Sequence, residues 1–381
     1  MRFIEAFGGW QEGRFSQEEA ARLLGVCERT FRRYLERYEE EGAEGLIDKR
    51  IGRISPRRAS VDEVSALVDL YRREYPGWNV RHFHSWWRHD HGGTRSYTWA
   101  KLTLQAAGVV DKAPGKGKHR KRRERMALPG MLLHQDASRH QWVAGEYWDL
   151  VVTMDDATGE HTSMFFCQEE GTASSLHGIG QTIAAKGLFC SLYTDRGSHY
   201  FHTTDASAGI DRTNLTQVGR ALRQLGIEHI PAYSPEARGR SERAFGTHQE
   251  RLPRELAKAG IIDMAAANRY LQQLYMPRHN AQFAVPAKQA GSAFVPFLSG
   301  NLPDILCEQY ERTVGNDNCV SFEGYKLQIP ASDLRPNFVK TRVRVHRYVD
   351  ATLAIFHGPR RLADYNAQGQ PITQEEELKA A

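Results

Sequence analysis

Three patterns along this 381-residue chain predict a multidomain fold: an all-α N-terminal part, a central α/β core and a small β-barrel near the end. The first is a set of capped helical stripes separated by Gly-containing turns. The second is a middle stretch in which three strands lead into alternating helices and strands. The third is a final run of short alternating segments joined by tight turns.

Composition bounds the function. Hydrophobic residues at 40% and charged residues at 25% describe an ordinary globular protein long enough for two or more domains. No apolar run approaches membrane-spanning length, and Met1-Arg2-Phe3-Ile4-Glu5 lacks a leader pattern, so a cytoplasmic, nucleoid-associated protein with no membrane partner is expected. The five cysteines, Cys27, Cys167, Cys190, Cys307 and Cys319, show neither a disulfide framework nor zinc spacing. Net charge is +5, but Met1 to Arg125 holds 26 Lys+Arg against 18 Asp+Glu and the remainder 25 against 28. That asymmetry points to nucleic acid as the partner, with no small-molecule substrate.

Residues 1–50 read as a helix-turn-helix domain. Ser16-Gln17-Glu18-Glu19 is a capping box, Gly25-Val26-Cys27 a turn, and Glu28 to Tyr38 a second helix with Phe31 and Leu35 inward. That helix would show Arg29, Thr30, Arg32 and Arg33 to a major groove. Residues 59–110 form a second helical, helix-turn-helix-like domain from Val61–Arg73, Val80–His89 and Ser96–Ala107, with Arg95, Ser96, Tyr97, Thr98 and Lys101 near its reading face. His82, His84, His89 and His91 read as surface histidines around a core of Trp86 and Trp87 rather than as metal ligands. Residues 111–127 are a basic linker, in which Arg120, Lys121, Arg122 and Arg123 suit DNA phosphates.

The core spans 128–290. Strands Met131–Asp136, Tyr147–Met154 and Thr162–Gln168 precede helix Ser174–Lys186, strand Leu188–Thr194, helix Thr213–Leu225 and strand Glu228–Pro231. The first and fourth strands deliver Asp136 and Asp195 at their C-terminal ends. After a loop, Gly239-Arg240-Ser241 leads into a helix with Glu242 in its first turn. Hard cations such as Mg²⁺ take oxygen ligands from a few carboxylates plus water and substrate phosphate, and this set offers them. Arg238, Arg240 and Arg243 could each meet a phosphate. Asp155 and Asp156 read as a hairpin turn, Asp149 as a strand residue, and Glu236 as a loop residue less suited than Glu242 to fix a ligand.

The order β-β-β-α-β-α-β-α is that of the ribonuclease H-like fold. Within it, HQDAS around Asp136, YTDRGSHY around Asp195 and SPEARGRSERAFGTHQERL around Glu242 resemble the signature segments of the DDE transposases of bacterial insertion sequences, whose catalytic core is retroviral-integrase-like. The resemblance implies that Asp136, Asp195 and Glu242 are a metal-binding catalytic triad using Mg²⁺ or Mn²⁺, two ions per site. It implies cleavage at terminal inverted repeats and strand transfer into target double-stranded DNA, by a homo-multimer that brings two ends together. A ribonuclease H-like nuclease that does not join, or a non-catalytic DNA-binding protein, is the alternative. The gap from Asp195 to Glu242 is 47 residues, longer than is usual in that family, and the excess lies in the polar stretch Phe201–Arg212.

Beyond the core, Ile262 to His279 reads as one long helix. Residues 315–366 read as the small β-barrel, with strands at Cys319–Ile329, Arg342–Tyr348 and Thr352–Phe356. There Lys340, Arg342, Arg344, Arg347, Arg360 and Arg361 suit phosphate contact. The tail 367–381 reads as disordered.

Overall fold

The computed structural model describes residues 2–49, 51–52, 58–112, 124–203, 210–211, 213–233, 235–298, 300–331 and 335–372. It divides into two compact units, Met1–Pro76 with Thr94–Asp111, and Gly77–Gly93 with Lys112–Ala381. No helix among the described residues is long and apolar enough to cross a membrane.

The first unit is all helical. It comprises α1 (Arg2–Gln11), α2 (Gln17–Leu23), α3 (Glu28–Glu41), a 3-10 turn (Gly42–Leu46), α4 (Val61–Glu74) and α6 (Tyr97–Ala106), while α5 (Val80–Asp90) belongs to the second unit. The capping box forms as the sequence predicts, with Glu19 N donating to Ser16 Oγ at 3.2 Å and Ser16 N to Glu19 Oε2 at 2.8 Å. Helix α1 was not foreseen. Its Phe3, Phe7 and Trp10 close a core over Ala20, Ala21, Phe31 and Leu35, a full aromatic stripe in a helix with few polar start signals. Gly9 is required there, because a Cβ would lie 2.3 Å from the Phe15 ring. Ser60 and Ser96 cap α4 and α6.

The second unit is built on strands β1 (Leu133–Val143), β2 (Glu146–Asp155), β3 (His161–Cys167), β4 (Ser191–Thr194) and, after the short hairpin β5 (His202–Thr203) and β6 (Ile210–Asp211), β7 (Glu228–Pro231). The main sheet runs β3-β2-β1-β4-β7, antiparallel among the first three and parallel from β1 to β4 to β7. Helices α7 (Thr172–Lys186) and α8 (Gln217–Gln224) cover one face, packing Leu176, Ile179, Val218 and Leu222 on Leu133 and Leu192. Helix α9 (Pro235–Lys258), α10 (Met264–Tyr270), a π turn (Leu271–Tyr275) and α11 (Met276–Phe283) cover the other. There Phe245, Leu252, Leu256, Leu271 and Tyr275 meet Trp142, Trp148, Leu150 and Val152. This is the layered α/β core that the sequence predicts, in the strand order of the ribonuclease H-like fold.

Three expectations are corrected. Strand β1 continues past Asp136 to Val143, because β2 pairs with it along that whole length; Asp136 is internal to β1. Helix α9 begins at Pro235, a residue suited to a first helical turn, so Glu242 lies two turns inside and Gly239 is helical. Helix α5 belongs to the unit that holds the core: His82 is buried, its Nε2 2.6 Å from Glu255 Oε1, and Asn79 donates to Glu250 at 2.8 Å. His82 is therefore no surface histidine.

At the C-terminal end α12 (Leu302–Ile305) precedes β8 (Glu308–Thr313), β9 (Cys319–Phe322), β10 (Tyr325–Gln328), β11 (Arg342–Arg347), β12 (Leu353–His357) and β13 (Arg360–Tyr365). A closed barrel is not found among the described residues. A four-stranded sheet β13-β12-β11-β8 and the hairpin β10-β9 enclose one core of Val320, Phe322, Leu327, Val343, Val345 and Ile355. Strand β8, which starts before the expected boundary, takes the edge of β11. Several arginines read as phosphate contacts are paired internally, Arg347 with Glu308 at 2.8 Å and Glu323 at 2.6 Å, and Arg361 with Asp364.

Candidate active site

Strand pairing places the two aspartates. Parallel β1 and β4 pair Leu133 with Leu192 and His134 with Tyr193; two residues further on, the same register sets Asp136 opposite Asp195. Adjacent strands lie about 4.8 Å apart, and register partners share a face. That face is shared with His134 and Tyr193, whose rings meet at 5.2 Å, while the alternate residues Leu133 and Gln135 face α7.

Glu242 reaches the same level from α9. Arg240 contacts Asp156, which in turn meets His134 Nε2 at 2.8 Å, and nine residues later Gln249 Nε2 donates to Ser138 Oγ at 2.8 Å. Nine helical residues rise about 13.5 Å and four strand residues about 13 Å, so α9 runs alongside β1 in the same direction. By that measure Glu242 stands within about 4 Å, along the strand, of Asp136. Ser241, Phe245, His248 and Leu252 form the buried stripe of α9, and Glu242 beside it is exposed.

Asp136 Oδ1 accepts from Ala137 N at 3.1 Å and Asp195 Oδ1 from Gly197 N at 2.8 Å. Between the strands and α7, the buried Tyr200 hydroxyl accepts from Ser175 Oγ at 3.1 Å and reaches Gln135 Oε1 at 3.2 Å. Burial raises the Tyr200 pKa, and the charges of Glu170, Asp195 and Asp136 raise it further, so the phenol stays neutral beside the carboxylates. The three predicted ligands do not bring their oxygens within 4.8 Å of one another; among the described residues, the group that does meet within that distance is His161, His248 and His279.

Asp156 stands in the β2–β3 turn, as the sequence predicts, and is also a buried anchor. Burial works to raise its pKa, but hydrogen bonds from His134 and Met126 N and the Arg240 charge hold it well below the usual carboxylate range. Asp155 pins the same turn, accepting from Gly130 N and Thr158 N, each at 2.8 Å. This clamp fixes the N-terminal half of α9 to the β2–β3 turn. The sequence carried no signal for it, nor for Gln135, Glu170 and Tyr200, because partners so far apart in the chain meet only through the sheet.

The predicted DNA contacts divide. Arg29, Arg32 and Arg33 are exposed on α3 and Thr30 is half-buried. Arg95 holds Glu63 in a two-pronged pair at 2.8 and 2.7 Å and lies over Trp99, Ser96 is a helix cap, and Tyr97 and Lys101 are half-buried on α6. Arg240 is committed to Asp156, and exposed Arg243 donates to Gly239 O at 2.7 Å. Arg120, Lys121, Arg122 and Arg123, and the Arg238 side chain, lie outside the described residues.

Residues 9–73 match a family described as winged helix-turn helix. The chain is 29% identical over 361 residues to a putative transposase of Sinorhizobium fredii, covering 93% of this chain and 78% of that one. It is 26% identical over 412 residues to the transposase for an insertion sequence of Streptococcus pneumoniae, covering 97% and 87%. Among solved structures, the HTLV-2 integrase catalytic core domain in complex with magnesium aligns with 39% of this chain and 89% of its own at 19% identity and a TM-score of 0.29. The simian T-cell lymphotropic virus intasome in complex with PP2A regulatory subunit B56 gamma covers 78% of this chain and 100% of its own at 14% identity and a TM-score of 0.34. With scores that low, the core is assigned by its own strand order.

Proposed function

We propose that this chain, a relative of the transposases of bacterial insertion sequences, is a DDE transposase that cuts DNA at terminal inverted repeats and joins the freed end to target DNA. What supports the reading is the parallel β1–β4 register, which continued by two residues puts Asp136 level with Asp195, together with α9, which carries Glu242 alongside β1. An all-carboxylate set with solvent access is a hard oxygen site, which fits Mg²⁺ or Mn²⁺ and not a soft metal. Bound there, a pair of such ions would stabilise charge on the attacking and leaving oxygens of a phosphodiester.

The chain's own residues do the rest. Asp136 and Asp195, each with one oxygen tied to a backbone N–H, are held in fixed rotamers; Glu242, exposed on the helix, can move toward them as a ligand binds. The neutral Tyr200 phenol fills the space beneath without adding a competing charge. Exposed Arg29, Arg32 and Arg33 on the winged helix-turn-helix suit recognition of duplex DNA, and Arg243 suits a backbone phosphate beside the site. Water first attacks the phosphodiester at the element's end and the 3′ oxygen leaves as a hydroxyl; that hydroxyl then attacks a target phosphodiester and displaces the target's 3′ oxygen, which leaves as a hydroxyl, with no bond to the protein at either step. Two ends must be held together, so a multimer of the chain is the working form.

The test is cleavage and joining of a labelled duplex carrying the element's terminal inverted repeat, in Mg²⁺ or Mn²⁺, with Asp195→Asn and Glu242→Gln beside wild type. Joined products from wild type alone support the reading. Near-normal strand transfer by Asp195→Asn would sink the ligand assignment, and cleavage without joining would leave a ribonuclease H-like nuclease.

A further inference from the structure

We propose that His161, His248 and His279 form a second, separate metal site, for a borderline divalent cation of which Zn²⁺ is the first choice, tying α9 and α11 to strand β3. One ring nitrogen from each histidine lies within 4.8 Å of the others, and all three residues are buried. His161 Nε2 and His248 Nε2 are 2.9 Å apart, and the ring centroids stand 5.0, 4.4 and 4.7 Å from one another. A tetrahedral ion with bonds near 2.0 Å needs ligand nitrogens about 3.3 Å apart. Opening one pair by a few tenths of an ångström is within the reach of a χ adjustment.

The outer shell is also in place. Metal-bound imidazoles are usually oriented through their second nitrogen, and His248 Nδ1 lies 2.9 Å from the Tyr275 hydroxyl. On α11, Asn280 fixes the His161 backbone from both sides, its Oδ1 accepting from His161 N at 2.8 Å and its Nδ2 donating to His161 O at 2.9 Å. As it stands, neither His161 Nδ1 nor His279 Nδ1 has a well-formed hydrogen bond. A buried polar atom in that condition is destabilising, and the layer around it is otherwise filled by Trp, Leu and Phe. Three imidazoles where apolar side chains would pack need a use for their lone pairs.

Chemistry separates this site from the carboxylates. Imidazole nitrogen selects Zn²⁺ over Mg²⁺. His279 also lines a cavity of about 350 Å³ between α5, α9 and α11, which supplies a route in and room for a water as the fourth ligand. Arg251 lines the same cavity, but its guanidinium is taken up by Gln282 at 2.8 Å and the Phe283 ring at 4.8 Å, with Glu255 nearby as an opposing charge.

The experiment is metal analysis of tag-free protein grown with added zinc and dialysed against excess Mg²⁺. About one zinc per chain is expected to survive dialysis, and Co²⁺ put in its place should give the visible absorption of a tetrahedral nitrogen site. His279→Ala and His161→Gln should reduce zinc to background and make thermal stability indifferent to a zinc chelator, while Glu242→Gln keeps its zinc. Wild type that retains no zinc and gives no Co²⁺ bands overturns the proposal, as does either histidine variant holding zinc at the wild-type level. The wild-type cobalt spectrum decides the matter even if both variants fail to fold.

Discussion

Helix α9 carries two groups of opposite character six residues apart. Glu242 is exposed and belongs to a set of carboxylates that have not closed on one another. His248 is fully buried and sits against two further histidines and a tyrosine whose positions the core dictates. The first group stands at the exposed edge of the helix and the second is fixed by the core around it. One helix can thus serve chemistry on its edge and stability on its buried stripe, provided something holds its register. The Arg240–Asp156–His134 clamp does so at one end and the histidine cluster in the middle.

The largest expected effect lies on the exposed side. Glu242→Gln, Asp136→Asn or Asp195→Asn should each lower cleavage and joining by about 10³-fold or more, the several kcal/mol that a lost cation ligand represents. Binding to the terminal duplex and the unfolding midpoint should stay at wild-type values. A variant that loses activity and stability together would erase the division between the two groups.

Substitution on the buried side should do the reverse. His248→Ala removes a ring that fills the core and bonds to Tyr275 and His161, and should cost about 2–4 kcal/mol in urea unfolding. Arg240→Ala should cost a similar amount, because it leaves the carboxylate of Asp156, wholly buried, without its cation. A loss below about 1 kcal/mol for either would mean that α9 is held by its apolar contacts alone.

Acid sharpens the same contrast. His161 has a folded pKa of about 4 against 6.5 for the free side chain, and His279 about 2, so the unfolded chain binds more protons as pH falls through 6.5. Their contribution is complete above pH 6.5 and is lost as pH falls from there, toward 4 for His161, where it is worth about 3 kcal/mol, and on toward 2 for His279. Asp156, held below its ordinary 3.8, adds a second loss only when pH falls past that value. The melting temperature followed from pH 8 to pH 4.5 should therefore decline below 6.5; a flat profile would show that the rings take up protons within the fold.

The two groups also differ in how far the sequence revealed them. Asp136, Asp195 and Glu242 sit in short local strings that a sequence displays directly, and the order of strands and helices around them was legible too. The histidine cluster draws single residues from β3, α9 and α11, and no local pattern links positions 161, 248 and 279. Charge was legible but its use was not: Arg95 and Arg240 read as phosphate contacts, yet Glu63 and Asp156 claim them through the fold. Helix starts misled for a similar reason. Gly239 read as a breaker ahead of Glu242, whereas Pro235 begins α9 and the helix runs through the glycine.

The smallest effect expected is at Arg243, on the same helix as Arg240 but exposed, where it donates to the Gly239 carbonyl one turn earlier. Removing such a side chain leaves no buried charge behind, so Arg243→Ala should unfold at the wild-type urea concentration. If it meets a phosphate, it should weaken duplex binding a few-fold, equally for specific and unrelated sequences, and reduce the slope of log affinity against log salt by about 1. A salt titration of Arg243→Ala beside Arg240→Ala then isolates what exposure decides. The exposed arginine should change affinity without stability, and the buried one stability first; an unchanged salt slope for Arg243→Ala would remove this end of α9 from the DNA interface.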